Sequence, residues 1–427
     1  MSEPPPIEAR LRAAGLPPLP RTAWLEIDLD ALRANVATLR GLLRPGVRLA
    51  AVIKADAYGH GLLPVARAEA GAGVDYLCVG TLDEGLAVAE ASLGVPVLLL
   101  YQPPRDGLAA ALKAGVEVTV AEAGALETLE MDVAATAQET GRPLRVHLEI
   151  DTGLGRAGIA PVLAGPAAAR LSAMRGVELV GVWSHLASSD AASPSGIQVS
   201  RFEEACVALD RLDLPPVLRH LAASGGLLGG TAPQYDMVRV GLALYGLVPL
   251  DFPTARAAGE AVAALRPVMS LHARPIRVAD VAAGEGVGYG SRWRATRPSR
   301  VATLPVGYGD GWAYGSAGTA RALVRGRSVP LVGSVAMDAI AADVTEVPGV
   351  GPGDEFVLLG EQGPERIEAA ELARRRATIP WEIVTTMAVR LPRVYHAAGA
   401  VQSVRTLAGE VRRQGEGQDE RDPALER

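Results

Sequence analysis

The sequence LAAVIKADAYGHG, residues 49–61, places a lysine directly after a short apolar run. Residues 49–53 are typical of a buried strand, and Lys54 follows them without a linker. A lysine that leaves such a strand is partly desolvated, and desolvation favours the neutral amine that forms an imine. Taken alone, a lysine at this position is more often a surface residue whose aliphatic stem lies on apolar neighbours. Its meaning therefore depends on the fold around it.

Short apolar runs of the same kind recur as far as residue 240, and Ala-rich amphipathic stretches separate most of them. Strands are predicted at 49–53, 76–79, 97–100, 116–120, 144–150, 177–182, 217–220 and 237–240, with helices at stretches such as 62–72, 83–93 and 160–174. Alternating strands and helices indicate a parallel sheet, and eight such strands fit a (β/α)8 TIM-type barrel of the α/β class.

After about residue 251 the pattern changes to short β-rich segments punctuated by Gly and Pro. They predict a mostly β C-terminal domain, in which helical patterns return only at 369–377 and 381–388. An early strand at 24–28 precedes the barrel and is expected to join that domain's sheet. The predicted limits are a flexible leader at 1–22, the barrel at 23–250, the β-rich domain at 251–404 and a disordered tail at 405–427.

Composition excludes several classes of function. The net charge of −6 with interspersed signs gives no electrostatic footprint for nucleic acid. No run approaches the ~18 apolar residues of a membrane span, and the first residues show no apolar signal segment. Cys78 and Cys206 are too few for a disulfide framework and lie in apolar surroundings. We expect them to be small core residues of a cytoplasmic protein.

The end of the fifth predicted barrel strand carries several polar side chains, HLEIDTGLGR at 147–156. Alternation places His147, Glu149 and Asp151 on one face, and inward carboxylates in a barrel need a cation, for which Arg156 is the candidate. An ordinary buried ion pair explains the same residues. His185 follows the sixth strand, where a lone histidine is more often a core residue than a catalyst.

The last two barrel strands end in small residues. Ser224-Gly225-Gly226 follows the seventh strand, and Gly241 and Leu242 follow the eighth. Backbone N–H groups at these two positions form the usual phosphate site of such barrels. A lysine at one strand end and a phosphate cradle at two others point to a phosphorylated aldehyde cofactor, and pyridoxal 5′-phosphate (PLP) fits that description.

Two tyrosines of the second domain, Tyr289 and Tyr308, are each flanked by glycines. Only 4% of the chain is aromatic, so exposed phenols in glycine loops indicate ligand contact, with turn residues at a domain boundary as the alternative. The six histidines show no ligand-type spacing, so no metal is expected.

The stretch AVIKADAYGHG, residues 51–61, closely resembles the PLP-lysine signature of the alanine racemase family, and Lys54 matches its lysine. The loop VGYG at 287–290 is similar to the loop of the family's catalytic tyrosine, which here is Tyr289. Four further stretches are similar to family motifs, at 151–156, 306–312, 337–338 and 390–395. The resemblance covers residues 22–400. It implies a PLP-dependent isomerase that forms D-alanine for cell-wall peptidoglycan, as a homodimer with shared active sites.

Racemisation removes a proton from one face of Cα and delivers another to the opposite face, which two positioned groups achieve directly. The resemblance implies that Lys54 holds PLP as a Schiff base and acts as one acid/base. Tyr289 of the partner subunit would be the other. Arg239 would donate to the pyridine nitrogen, and His185 would brace Arg239 and the ring.

The resemblance also implies the contacts of the phosphate and the substrate. The phosphate would be held by Tyr58, Ser224, Gly241, Leu242 and Tyr395. Arg156 would bind the ring hydroxyl and the substrate carboxylate, and Met337 and Tyr308, both from the partner subunit, would join it at the substrate.

Two positions depart from the family pattern. Glu149 stands where many members carry a carbamylated lysine that orients the arginine matching Arg156, so a native carboxylate would keep that charge without CO2. Ala223 stands where asparagine often precedes the phosphate serine, which removes one polar contact.

Three alternatives stay open at this point. A PLP barrel decarboxylase or aldolase is disfavoured by Arg239, because decarboxylases of this fold usually pair the ring nitrogen with a carboxylate. A serine or broad-specificity racemase is closer, although the latter tend to carry a secretion signal. A PLP carrier without turnover would lack Tyr289 and the second domain.

Overall fold

The computed structural model describes residues 5–413, which form two compact units. The barrel unit comprises residues 31–268 and 368–386. The sheet unit comprises the described residues before 31, residues 269–367 and residues 387–413. The outer parts of the predicted leader and tail, residues 1–4 and 414–427, lie outside the described residues.

The barrel unit is built on eight parallel strands that close on themselves. Numbered after the first strand of the chain, β1 (Ala23–Asp28), they are β2 (Arg48–Val52), β3 (Tyr76–Val79), β4 (Val97–Leu99), β5 (Glu117–Val120), β6 (Leu144–Glu149), β7 (Val177–Trp183), β8 (Leu218–Ala223) and β9 (Met237–Val240). β9 pairs in parallel with β2, which closes the ring. The predicted TIM-type barrel is confirmed, and β3 and β9 match their predicted strands residue for residue.

Helices connect most of these strands. The helical elements of residues 5–413, of which α3 is a single left-handed turn, are α1 (Ile7–Ala13), α2 (Leu29–Arg40), α3 (Lys54–Tyr58), α4 (Leu62–Gly71), α5 (Leu82–Glu90), α6 (Leu108–Ala114), α7 (Leu129–Thr140), α8 (Ala164–Ala173), α9 (Ala192–Asp210), α10 (Ser224–Gly229), α11 (Gly259–Ala264), α12 (Ala369–Arg375) and α13 (Pro380–Thr385). Every residue of β3 and β9 is buried, because helices cover the outer face of a barrel strand and the packed barrel interior encloses its inner face. This enclosure explains why both strands are rich in apolar residues.

The sheet unit is mostly β, as predicted. Its remaining strands are β10 (Met269–Ala273), β11 (Arg277–Val281), β12 (Gly286–Val287), β13 (Trp293–Arg294), β14 (Ser299–Leu304), β15 (Arg321–Val324), β16 (Arg327–Val332), β17 (Ile340–Asp343), β18 (Phe356–Gln362), β19 (Glu365–Ile367), β20 (Arg393–Ala397), β21 (Ala400–Thr406) and β22 (Gly409–Arg412). The main path runs β11-β14-β17-β16-β15-β18-β10-β1-β20-β21-β22. β1 is antiparallel to β10 and parallel to β20, so the early strand lies in this sheet.

The structure differs from the predicted leader and tail. α1 lies inside residues 1–22, and its Ile7 and Leu11 are buried in a core cluster with Trp24 and Val394. The spacing of four between these two residues puts them on one helix face. The strand β22 lies inside the predicted tail and forms a hairpin with β21. A short amphipathic helix and a polar edge hairpin carry too little apolar sequence to stand out from disorder.

The unit limits also differ from the prediction. The barrel unit extends to residue 268 rather than 250, and residues 368–386 return to it from the C-terminal region. That segment holds α12 and α13, which the sequence pattern assigned to the second domain. Chain order does not show which unit a late helix packs against, so the pattern alone carries no sign of this return.

Cys78 and Cys206 are both free and buried, as the sequence predicted. Within residues 5–413 no helix combines the length and the apolar character needed to cross a membrane.

Candidate active site

A cavity of about 350 Å³ opens among the C-terminal ends of the barrel strands. Eight of the predicted site residues line it, namely Lys54, Tyr58, Arg156, His185, Ser224, Arg239, Gly241 and Leu242. The sequence analysis did not assign a role to several other lining residues, among them Tyr101, Trp183, Trp381 and Thr385. Because all parallel strands of a barrel end on one face, residues far apart in sequence meet here.

The turn that carries Lys54 is left-handed. Residues 55–58 all have φ between 53° and 54°, although none of them is glycine. Left-handed helical backbone costs about 1–2 kcal/mol per residue, so the surroundings must fix it. The Asp56 carboxylate accepts the backbone N–H of Leu62 at 2.8 Å, and the Asp56 N–H donates to Glu84 at 3.1 Å. The turn brings Lys54 and Tyr58, four residues apart, to the same cavity.

Glycines clear the space around this turn. Gly59 follows it at φ 79°, and a Cβ there would lie 2.3 Å from the carbonyl oxygen of Val384 in α13. A Cβ at Gly80 would lie 3.2 Å from the Cβ of Lys54. The late helix α13 therefore packs directly against the lysine turn.

Tyr101 lies between the two cations of the cavity. The Lys54 Nζ atom is 5.4 Å from the centre of its ring, and the Arg156 guanidinium carbon is 5.2 Å from it. Both distances fit cation–π attraction. An aromatic residue after β4 gave no signal in the sequence, because an apolar run ending in tyrosine is common at any strand end.

Hydroxyl and amide donors converge at the ends of β8 and β9. Ser224 Oγ accepts the backbone N–H of Gly241 at 3.0 Å and that of Ala243 at 3.4 Å. A Cβ at Gly241 would lie 2.6 Å from the Tyr58 Oη atom, so only glycine lets the phenol reach this backbone. Donors grouped in this way form a cradle for an anion.

Arg239 is 3% exposed and fixed from several sides. It donates from Nη1 to His220 Nδ1 at 2.6 Å and from Nη2 to the carbonyl of Ser184 at 2.8 Å, and it lies 4.6 Å over the ring of Trp183. Burial lowers the pKa of Arg239 to about 10, which leaves it a cation at neutral pH. Burial and then the charge of Arg239 lower the pKa of His185 to about 3, so His185 is neutral beside it.

Glu149 lies on β6 beneath Arg156 and is 2% exposed. Its Oε1 atom is 3.4 Å from Arg156 Nη2, whereas its Oε2 atom is buried without a hydrogen-bond partner among the described residues. Burial raises the pKa of Glu149, and the charge of Arg156 opposes that shift only in part. The contact predicted between Glu149 and Arg156 is thus present, at the long end of hydrogen-bond distance.

Tyr289, Tyr308 and Met337 lie in the sheet unit, in three loops that we call the tyrosine loops (287–290, 306–311 and 334–338). Hydrogen bonds to backbone carbonyls hold them together: the Ser334 hydroxyl donates to the carbonyl of Tyr289 at 2.9 Å, and the N–H of Gly309 donates to the carbonyl of Met337 at 2.9 Å. All three side chains point outward, with exposed fractions of 77%, 45% and 53%. The loops therefore present two phenols on the surface of this unit.

Asp310 anchors the tyrosine loops and is fully buried. Its carboxylate accepts from Arg21 at 2.6 Å, from Arg390 at 2.8 Å and from the backbone N–H of Gly307 at 3.0 Å. Arg390 also pairs with Asp338 at 2.7 Å. This network joins the stretches at 306–312, 337–338 and 390–395 within the sheet unit. Tyr395 is buried on β20 of the sheet unit, and its contact with a phosphate stays a prediction.

One group of potential metal ligands escaped the sequence analysis. Glu26, His272 and Glu355 of the sheet unit offer ligand atoms within 4.8 Å of one another. Arg10 pairs with Glu26, and His272 Nδ1 lies 2.8 Å from Glu355 Oε1, so the structure gives these groups protein partners. Spacing in the sequence could not reveal the group, because its members lie far apart in the chain and meet only through the pairing of neighbouring strands.

The chain matches the alanine racemase N-terminal domain over residues 27–249 and the alanine racemase C-terminal domain over residues 268–395. It is 38% identical to an alanine racemase of Symbiobacterium thermophilum, across 88% of this chain and 97% of the relative. The structure is similar to that of the Bacillus anthracis alanine racemase with bound L-Ala-P, with a TM-score of 0.83, 31% identity and coverage of 92% and 99%. It is also similar to the Bartonella henselae alanine racemase with covalently bound pyridoxal phosphate, with a TM-score of 0.76, 27% identity and coverage of 88% and 100%.

Proposed function

Because this chain belongs to the alanine racemase family, we propose that it interconverts L-alanine and D-alanine with PLP. Its two acid/base groups would be Lys54 of one subunit and Tyr289 of the partner subunit. The observation that carries the proposal is the barrel cavity itself. It brings an amine, a cradle of hydroxyl and amide donors and a buried guanidinium to one place.

The residues of this cavity fit PLP. The volume lies within the range of small-molecule sites. Tyr58, Ser224 and the backbone of Gly241 and Leu242 would hold a phosphate, and the absence of a Cβ at Gly241 lets the Tyr58 phenol lie against this backbone. Arg239, a permanent donor, would face a ring nitrogen that is an acceptor. When bound, PLP supplies an electron-withdrawing ring that acidifies the Cα proton of an attached amino acid.

Lys54 and Tyr289 would exchange protons with the two faces of the substrate. Lys54 Nζ would take or give the Cα proton on the face turned to the barrel, and the Tyr289 Oη atom of the partner subunit would do so on the opposite face. Two observations support this role of Tyr289: the hydrogen bond from Ser334 fixes its backbone, and the residue is 77% exposed. An exposed phenol on a fixed backbone can act on a substrate that is bound to another subunit.

Arg156 would bind the substrate carboxylate, with help from the Met337 backbone and Tyr308 of the partner subunit. A guanidinium recognises a carboxylate through paired donors. Glu149 would hold Arg156 in place in the way that a carbamylated lysine does in many members. The support is the contact of 3.4 Å between them and the burial of Glu149 behind the arginine.

A homodimer with shared active sites follows from these assignments, because the two acid/base groups would come from different subunits. We also propose that the product D-alanine serves peptidoglycan synthesis and that the protein acts in the cytoplasm. Its two free, buried cysteines support a reducing compartment.

The direct test is formation of D-alanine from L-alanine by the purified chain with added PLP. Borohydride reduction of the PLP-loaded protein should attach the cofactor to Lys54, located by peptide mass spectrometry. Lys54→Ala should lose both the attachment and turnover. Cofactor attached to Lys113, whose amine also faces solvent, would overturn the assignment of Lys54.

A further inference from the structure

A row of hydrogen-bonded side chains, which we call the file, runs through the interior of the barrel from the candidate active site toward the opposite end. Its members are Arg239, His220, His147, Glu117 and Arg145. Arg239 Nη1 lies 2.6 Å from His220 Nδ1, and His220 Nε2 lies 2.9 Å from His147 Nδ1. His147 Nε2 lies 2.8 Å from Glu117 Oε2. The file ends at Arg145, whose Nε donates to Glu117 Oε1 at 2.7 Å.

These contacts allow a single arrangement of protons in which every step has one donor and one acceptor. Arginine has no acceptor, so Nδ1 of His220 must accept and its Nε2 carries the hydrogen. That hydrogen is donated to Nδ1 of His147, which leaves the hydrogen of His147 on Nε2. The last acceptor is Glu117, an ionised carboxylate that can only accept. Arg239 at one end, which can only donate, and Glu117 at the other end, which can only accept, therefore fix the same direction for the whole file.

Charge states agree with this arrangement. Burial acts to raise the pKa of Glu117, but the hydrogen bond from His147 and the charge of Arg145 outweigh it, so the pKa is lowered. Burial, together with the charge of Arg239, holds the pKa of His220 well below its ordinary value. Glu117 is thus ionised and His220 neutral near pH 7.

Aromatic rings and a glycine pack closely around the two histidines of the file. The ring of Trp183 stacks on His220 at 6.0 Å, and Tyr76 meets His147 edge-on at 6.3 Å. A Cβ at Gly181 would lie 2.1 Å from His147 Nδ1, so glycine is needed where this ring passes. His147 and His220 are fully buried, and Glu117 is 3% exposed. Barrel interiors are usually filled by branched apolar residues, and a polar file costs desolvation unless all of its members are paired.

We propose that Glu117, His147 and His220 are positioning residues, which fix Arg239 as a hydrogen-bond donor turned toward the cavity. Without the carboxylate at its far end, the file loses one of the two groups that fix its direction, and the hydrogen bond from the guanidinium to His220 weakens. The value of that orientation to catalysis rests on the proposed function, in which Arg239 faces the ring nitrogen of PLP. The direction of the hydrogen bonds does not depend on it.

The test is nitrogen NMR of the full chain labelled with 15N-histidine, with and without PLP. The rings of His220 and His147 are assigned through their contacts with Trp183 and Tyr76. We expect both rings to be neutral with the hydrogen on Nε2, in either state of the protein. A cationic ring, or a hydrogen on Nδ1 of either histidine, would overturn the inference even if the chain racemises alanine. The expected tautomers in a chain that does not racemise alanine would instead count against the proposed function alone.

A substitution separates positioning from packing. Glu117→Gln keeps the shape but replaces a charged acceptor by a neutral amide, so the resonance of the hydrogen-bearing Nε2 of His147 should shift. With alanine as substrate, kcat should fall on the order of tenfold, as for groups that orient a metal ligand, while KM changes less. The pH dependence of the absorbance of bound PLP should shift. Glu178→Gln, which removes the other carboxylate beside Arg145, should leave all three unchanged. Equal behaviour of the two variants would refute the proposal, and if Glu117→Gln does not fold, the tautomers of the unmodified chain decide.

Discussion

At the scale of single residues, Glu149 shows how one side chain sets the properties of another. Its carboxylate has one oxygen near Arg156 and one buried without a partner among the described residues. Burial removes water from the charged carboxylate and so favours its neutral form, which raises the pKa of Glu149. As the pH falls, the ion pair between Glu149 and Arg156 is therefore lost at a higher pH than the ion pair of an ordinary glutamate would be.

Glu149→Gln should raise the KM for alanine by about two- to fivefold at neutral pH, because an ion pair of a partly exposed arginine contributes about 1 kcal/mol or less. The carboxylate is charged above its raised pKa and loses the charge as pH falls through it. In the unmodified protein, KM should therefore rise on the acid side, whereas in Glu149→Gln it should stay flat over the same interval. Steady-state kinetics across the pH range check both statements, and identical profiles would show that Glu149 only fills space.

Glu149→Lys reverses the charge beside Arg156 and should reduce kcat/KM more than Glu149→Gln does. Bicarbonate should restore part of the activity of Glu149→Lys, because a carbamate on the new lysine would return a negative charge to this position. The glutamine variant has no amine and serves as the control, with no response to bicarbonate. Rescue of both variants, or of neither, would contradict the role of Glu149 as a replacement for the carbamate.

The sequence predicted the strand-end residues well and other residues poorly, for a physical reason. Lys54, Ser224 and Arg239 could be placed together because a closed parallel barrel brings all its strand ends to one face. Glu117 stands at the opposite end of its strand, where no such rule applies, and its partner His147 could be oriented but not paired. Which atoms meet across a barrel depends on the register of the strands, including the shift between Val146 and His147. The sequence of a single strand does not determine that register.

At the scale of elements, the left-handed turn α3 brings Lys54 and Tyr58, a member of the proposed phosphate cradle, to one cavity. Four non-glycine residues in this conformation are held by the contacts of Asp56 and by the packing of α13 on Gly59. The sequence motif predicted the lysine but not this turn, because alanine and aspartate at 55–57 favour ordinary right-handed helix or loop. The late helix α13 was likewise assigned to the wrong unit, although it completes the support of the turn.

Gly59→Ala should lower the free energy of unfolding by at least about 1–2 kcal/mol, because alanine is strained at φ 79° and its Cβ would meet the Val384 carbonyl. It should also weaken PLP binding, since Lys54 and Tyr58 lie at the two ends of the turn. Gly71→Ala is the matched control: its Cβ would meet nothing within 4 Å at the end of α4, and it should be neutral or stabilising by up to about 1 kcal/mol. Denaturant unfolding and PLP titration measure both, and equal effects would mean that the turn is not constrained by α13.

In the sheet unit, Asp310→Asn tests the anchor of the tyrosine loops. The substitution removes the charge that Arg21 and Arg390 share and leaves two partly buried guanidinium groups without it. Breaking a buried pair on one side costs about 3–5 kcal/mol, so the melting temperature should fall clearly. Asp338→Asn, which disturbs only an exposed partner of Arg390, should cost less than about 1 kcal/mol. Similar melting temperatures for the two variants would show that Asp310 is not the anchor.

At the scale of the whole molecule, the two proposed acid/base groups stand in different compact units of the chain. Lys54 belongs to the barrel unit and Tyr289 to the sheet unit. The sequence resemblance predicts that each site pairs the barrel unit of one subunit with the tyrosine loops of the other. A single chain carries both sets of residues, so composition and motifs alone are equally compatible with a site formed within one chain. Only an experiment that separates the two groups onto different subunits distinguishes these arrangements.

Mixing Lys54→Ala subunits with Tyr289→Phe subunits makes that separation. Each variant alone should lose activity on the order of 10²-fold or more, as expected when a positioned acid/base group is removed. In a two-fold dimer with shared sites, each mixed dimer joins the intact Lys54 of one subunit to the intact Tyr289 of the other, so one of its two sites is complete. Random exchange makes about half of the dimers mixed, and activity should recover to about a quarter of that of the unmodified protein. The control mixes Lys54→Ala with the double variant, in which no pairing completes a site. Mass spectrometry of differently tagged subunits verifies exchange, and if activity then stays absent, both groups act within one chain and the shared-site dimer is wrong.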